Sequence, residues 1–223
     1  QKQNIELTAD NYDDNRHFYL AQYFHDNYDS AMAQLPIINS PVQITRMEVW
    51  ITNVGINTSP DARNMIALMD LAEEETYDSN LIPSSFNGYP QNTSNNLYSN
   101  LTQDPLLRNF SSASGELIAN YGYSAGLHFE KIENARKLDP NEYTYNAQLG
   151  YISLNRRVED NEVLAVAFEY TTPDDAKPKQ VGEFSTDVSD IKSTLFLKLL
   201  KSTQVNNTKI PLWNLMMKNV YST

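Results

Sequence analysis

The sequence predicts an α+β fold: a mainly antiparallel β-sheet or β-sandwich of jelly-roll type, with a long N-terminal helix and short additional helices packed on it. Three observations predict it. Apolar residues recur at steps of four and three through residues 15–35, apolar and polar residues alternate through several later segments, and helix-opening residues punctuate the stretch between.

Leu20, Phe24, Tyr28, Met32 and Leu35 fall on one face of a helix. Asp13 or Asp14 is placed to cap its start, and Pro36 ends it because proline has no amide proton and pushes its predecessor out of helical geometry. Burying five such side chains contributes roughly 1.5–3 kcal/mol each, enough to hold the helix on a sheet. In residues 43–53, Met47, Val49 and Ile51 alternate with Arg46, Glu48 and Thr52, the period of a half-buried strand that Trp50 interrupts. Residues 65–71 are apolar at nearly every position until Asp70, as in a central strand covered on both faces.

Residues 73–103, rich in Asn, Ser, Tyr and Pro, read as a long polar surface excursion. Asp104-Pro105 opens a short helical stretch that resumes at 116–121, while 127–138 fits either strand or helix. Residues 143–155, 162–171, 180–185 and 194–201 read as successive strands, with turn chemistry at Asp160-Asn161 and Pro173-Asp174-Asp175. The second has apolar residues on both faces and belongs inside a sheet, and the last turns Leu195, Leu197 and Leu199 one way with its lysines outward. Pro211 and the spacing of Leu212, Leu215 and Met216 suggest a closing helix. The whole of 1–223 is read as a single soluble domain of a larger protein, since Gln1 is not an initiator Met and the chain stops at Thr223 just after an apolar run.

Composition narrows the function classes. The chain is 40% hydrophobic and carries 14 Tyr, 8 Phe and 2 Trp, enough to build a core. Seventeen basic against 28 acidic residues give a net charge of −11, which opposes nucleic acid and anionic lipid as partners. Without cysteine there is no disulfide, thiolate metal site or cysteine nucleophile. No apolar run is long enough for a membrane-spanning helix.

Candidate chemistry is sparse. Gly122-Tyr123-Ser124-Ala125-Gly126 matches the G-x-S-x-G nucleophile elbow by letter, but the residues before it look helical and those after it extended, the reverse of the strand–turn–helix setting that exposes such a serine. His17 and His25, eight apart on the expected helix, are too far separated to share a metal, and His128 has no second histidine at metal-binding spacing. The cluster Asp10, Asp13 and Asp14 is read as helix capping, and Asp26 with Asp29 as solvated; neither has the glycine and closing glutamate of a calcium loop. Glu73-Glu74-Glu75 is read as a solvated run. Seven glycines form no phosphate-binding loop. The expectation is no catalytic residue, no metal ligand and no cofactor.

Blocks distributed along the chain carry a resemblance. Asn15-Arg16-His17-Phe18-Tyr19-Leu20-Ala21-Gln22-Tyr23-Phe24, Ile44-Thr45-Arg46-Met47-Glu48-Val49-Trp50-Ile51-Thr52-Asn53, Arg63-Asn64-Met65-Ile66-Ala67, the stretch from Phe129 to Leu138, Leu149-Gly150-Tyr151-Ile152-Ser153-Leu154-Asn155 and the stretch from Trp213 to Tyr221 resemble, in order, the SprA/Sov family of Bacteroidetes. That family's members are very large outer-membrane β-barrels forming the translocon of type IX secretion, through which folded cargo and gliding adhesins reach the cell surface. The resemblance implies a structural or interaction domain of that translocon, part of the extracellular cap in preference to a periplasmic region. The implied partners are the rest of the barrel, accessory secretion-system proteins and secreted cargo, and the family offers no catalytic residue to carry over. Two other readings stand beside it: a carbohydrate-binding β-sandwich, drawn from the tyrosines and Asn-rich loops, and a serine hydrolase using Ser124.

Overall fold

The computed structural model of the protein describes residues 11–55, 60–83, 88–204, 208–218 and 220–221. Its centre is a closed barrel of five strands: β2 (Gln43–Ile51), β3 (Arg63–Leu68), β4 (Phe129–Lys137), β7 (Leu164–Thr172) and β9 (Leu195–Lys201). Around the barrel the order is β2, β4, β3, β9, β7 and back to β2, with only the β3–β9 pair parallel. The seam between β2 and β4 is short, made at Trp50 with Lys137 and Ile51 with Arg136. β8 (Asp175–Val181) extends the far half of β7 as a hairpin arm.

The barrel explains the strand patterns. Its interior holds Trp50, Met65, Ala67, Ile132, Ala135, Ala165, Ala167, Leu195, Leu197 and Leu199, with Phe184 packed in the same cluster. A barrel of few strands has a narrow lumen, which the four alanines fit beside one indole. The alternate residues point outward and are buried too. Val49, Ile51, Val166, Phe168 and Tyr170 pack under a three-stranded sheet and a helix, while Ile66, Leu68, Phe129 and Phe196 pack under helices on another face. Trp50 therefore does not break an alternation; both faces of this end of β2 are covered.

The three-stranded sheet is β1 (His17–Tyr19), β6 (Tyr151–Leu154) and β5 (Tyr143–Asn146). Helix α1 (Gln22–Met32) seats Phe24 and Ala31 beside it. Helices α2 (Leu97–Gln103), α3 (Pro105–Arg108) and α4 (Phe110–Ala119) cover the other face, with Asp104 and Asn109 side chains accepting from the first-turn amides of α3 and α4. The residues expected as a polar excursion at 73–103 contain α2 and the buried Ile82, Ser94, Asn95, Leu97 and Leu101. The C-terminal helix α5 (Leu212–Leu215) is one turn.

Two expectations are corrected. The long N-terminal helix over 15–35 is not formed: residues 17–19 are strand, and the helix is 11 residues long. Asn15 takes a left-handed φ of 50° and Ala21 an extended one, so the backbone cannot run helically through this region. As a strand, Phe18 pairs with Ile152 and is buried, whereas Leu35, expected on the buried helix face, is 63% exposed. Neither Asp13 nor Asp14 caps α1, because both lie before β1 and are engaged elsewhere. The β-sandwich or open sheet is likewise replaced by the closed barrel, since β7 pairs with β2 as well as β9. The stretch 143–155 is two strands joined by a turn at Gly150, and 127–138 resolves as strand.

The segment after α5 returns along the start of the chain. Phe18 bridges Met216, the Met217 amide donates to the His17 carbonyl (2.9 Å), the Asp13 amide to the Val220 carbonyl (2.9 Å), and Tyr12 meets Tyr221. Tyr12, Asp13, His17 and Phe18 thus lie alongside Tyr221, Val220, Met217 and Met216.

Candidate functional site

Among the described residues, polar groups converge on a cleft of about 430 Å³ between α1, the turn after β3 and the segment before α5. Tyr23 and Tyr89 form one wall, with ring centroids 5.4 Å apart. Asp26 and Glu74 to Thr76 line it opposite Pro211 and Asn214, and Glu73 lies at the floor.

The floor is a buried charge network. Past β3 the chain turns sharply, with Ala72 at a left-handed φ of 64° and the Glu73 amide donating to the Asp70 carbonyl. Glu73 is thereby turned inward, 4% exposed, and pairs at 2.7 Å with Lys198 of β9, itself 1% exposed. The Lys198 ammonium also donates to the Met69 carbonyl. The Glu73 carboxylate accepts from the Gln22 amide (3.1 and 3.3 Å) at the first turn of α1, supplying from a distant segment the cap that α1 lacks locally. Asp70 accepts from the Tyr77 amide (3.1 Å), and burial pushes its carboxyl up to about 6 although Lys198 opposes the shift. Asn95 ties the turn shut, its side-chain NH₂ donating to the Asp70 and Glu73 carbonyls at 2.8 Å each.

Two further ionic clusters fasten the covering layers. Arg108 of α3 grips Glu183 with two bonds of 2.7 and 2.5 Å, and Glu183 also accepts from the Tyr98 hydroxyl and the Phe196 amide. Arg156 grips Glu162 (2.7 and 2.6 Å), while the Lys201 ammonium is cradled by the carbonyls of Glu159, Asp160, Glu162 and Ser202. Burial pulls Lys201 below the usual lysine range.

The residues singled out in the sequence meet only in pairs, Ser124 with His128, His17 with Asp13 and His25 with Asp26. Ser124 follows α4 and precedes β4, a helix–turn–strand order. Its main-chain amide donates to His128 Nδ1 (3.0 Å), so that nitrogen is occupied by backbone and the proton is assigned to Nε2, which has no hydrogen-bond partner among the described residues. Burial lowers the His128 imidazole below its usual value. His17 lies in β1 with Nδ1 2.8 Å from the Ser153 hydroxyl, and His25 lies on α1 beside Asp26 (2.7 Å), so the two do not share a helix. Asp13 pairs with Arg16 and Asp14 with Arg157, and Asp10 lies outside the described residues. Among the described residues no group of three His, Asp or Glu could hold a metal ion.

Sequence reasoning missed the floor of the cleft. Glu73 is not part of a solvated run, and Lys198 and Lys201 point out of the barrel but into its covering layers. The available signal was a lysine inside Leu195-Phe196-Leu197-Lys198-Leu199-Leu200: a charge between apolar residues on both faces needs a buried partner.

Among the described residues no helix is long and apolar enough to cross a membrane. None of the curated proteins compared with the chain matches it. The family described as motility related/secretion protein, SprA_N, matches residues 1–174. That span takes in every block of the SprA/Sov resemblance except the last, and it is most of the 223 residues: the chain belongs to this family of motility-related secretion proteins.

Proposed function

We propose that this chain is a structural and docking domain of an outer-membrane protein-conducting translocon of type IX secretion and gliding motility, held on the cell surface as part of the cap over the barrel. On this reading it does no chemistry; its partners are the translocon barrel, accessory secretion proteins and cargo. The observation that carries the reading is the pairing of Tyr12, Asp13, His17 and Phe18 with Tyr221, Val220, Met217 and Met216, which lets one stem hold the whole body on a larger scaffold. The closed barrel fits the role, because a domain facing passing folded cargo gains from having few free strand edges to template aggregation.

The test replaces residues 11–221 with a short Gly/Ser linker in the full-length protein. Cargo is expected to stop reaching the surface while the transmembrane barrel still inserts; undiminished secretion from an inserted barrel would sink the reading. A tag within residues 73–103 should be accessible on intact cells, and a protected tag would move the domain to the periplasmic side.

One observation favours a second reading, saccharide binding: the cleft combines the faces of Tyr23 and Tyr89 with the amides of Gln22, Asn27 and Asn214. Glycan-array binding that Tyr89→Ala abolishes would support it.

A further inference from the structure

Asp70, Glu73 and Lys198 form a buried cluster whose formal charges do not balance, two carboxylates against one ammonium. Asp70 is 3% exposed, and Lys198 pairs at 2.7 Å with Glu73 while acting on Asp70 only through space. Four parts of the fold meet on this cluster. The turn 69–77 supplies both carboxylates, β9 supplies Lys198, α1 contributes the Gln22 amide, and Asn95 ahead of α2 holds the carbonyls of Asp70 and Glu73.

The charged and titratable groups facing Asp70 are Lys198 from β9, Glu73 and Asp78 from its own turn, and Tyr123 from the segment after α4. His128 stacks on Tyr123 and lies near the ring of Tyr77, one shell further out. Among the described residues, Lys198 is the cation that acts on Asp70.

We propose that Asp70 is a proton-operated latch on the cleft. With Asp70 protonated, Lys198 and Glu73 are a matched pair and the turn is clamped between β9 and the first turn of α1. When Asp70 gives up its proton to solvent, the cluster carries an unmatched negative charge in a buried site beside the Glu73 carboxylate. The strain is relieved by moving the turn toward water. Because Glu74, Glu75 and Thr76 continue that turn and line the cleft, releasing it widens the cleft and frees the α1 amide. The Tyr77 amide bond to Asp70 favours the ionised form but is a single bond, and burial outweighs it.

Backbone amide exchange of the whole chain at pH 5 and pH 8, corrected for intrinsic chemical exchange, tests the latch. Protection at Tyr77 and Gln22 should fall about tenfold between the two, the ratio expected for a group bound near 6 when latched and near 3.8 when open. Amides of the barrel strand residue Val166 should not change. In Asp70→Asn, which stays neutral, the fall should disappear, whereas Glu74→Gln should keep it. A direct carboxyl titration of Asp70 by NMR in the unaltered chain covers the case in which the variant does not fold. The latch is overturned if protection is independent of pH, if Asp70→Asn shows the same fall, or if the Asp70 carboxyl titrates like an ordinary aspartate.

Discussion

At the scale of single residues, two positions are held by the backbone around them. Gly150 has a φ of +63°, and a Cβ there would overlap the ring of Phe24. Gly150→Ala should therefore cost about 2–4 kcal/mol, adding a left-handed penalty to a clash in a packed core. Gly88, at +80° with nothing near a Cβ, should lose only the backbone part when changed to Ala. Equal losses for the two in urea unfolding would show that the Phe24 contact is not felt. His128 makes the stability depend on pH. Its imidazole is depressed by burial, so the unfolded chain takes up that proton first as pH falls through about 6.5, and stability is lost below that point. Asp70, raised by burial, acts in the opposite sense: the folded chain holds its proton more tightly, so its contribution is present at low pH and is lost as pH rises toward about 6. His128→Asn, which keeps an acceptor near Nδ1, isolates the first effect. The gap in unfolding midpoint between pH 7.5 and pH 5 should move toward greater acid stability in the variant, and an unchanged gap would mean that His128 is not titrating differently in the folded chain.

At the scale of elements, α3 is only one turn long and cannot hold itself; its place is fixed by Arg108 on Glu183 and by the guanidinium lying 4.3 Å from the Phe196 ring. Glu183→Gln keeps an acceptor for the Phe196 amide but leaves Arg108 unmatched, and should cost about 3 kcal/mol. Adding Arg108→Met should return part of that loss, so a double variant less stable than Glu183→Gln alone would argue against the pair as the fastening. Element types whose pattern is local were legible: β2, β7 and β9 read as alternating strands, and Asp104-Pro105 opened α3 where expected. Helix α1 was overextended because Leu20 continues the helical spacing of Phe24 and Tyr28, while in the fold it follows a strand and is buried beside Phe18. The pairing of His17–Tyr19 with Tyr151–Leu154 decides that, and it is not written in the N-terminal segment. Glu73 was illegible for the same reason: its role depends on Lys198 and Gln22, which are brought to it only by the folded chain.

At the scale of the whole molecule, closure of the sheet is what separates the fold from the expected sandwich. The hint was present in residue sizes: strands apolar on both faces, with alanine at positions 67, 135, 165 and 167 on the side shared with Trp50, suit a narrow lumen better than the broad interface between two sheets. Which strand follows which around the ring could not be read, since β3 and β9 pair in parallel across most of the chain. If the lumen is filled as tightly as the alanines imply, it has no room for added methyl groups. Ala165→Leu should then lower the urea midpoint by an amount corresponding to about 1–3 kcal/mol, with the slope unchanged because the surface exposed on unfolding stays the same. Ala147, only partly buried at the edge of the core between the barrel and the small sheet, gives the comparison: Ala147→Leu should cost less. A neutral or stabilising Ala165→Leu would mean that the interior has space to spare, and a fall in the slope would mean that the ring opens at the two-residue seam between β2 and β4, its weakest join, before the rest of the molecule unfolds.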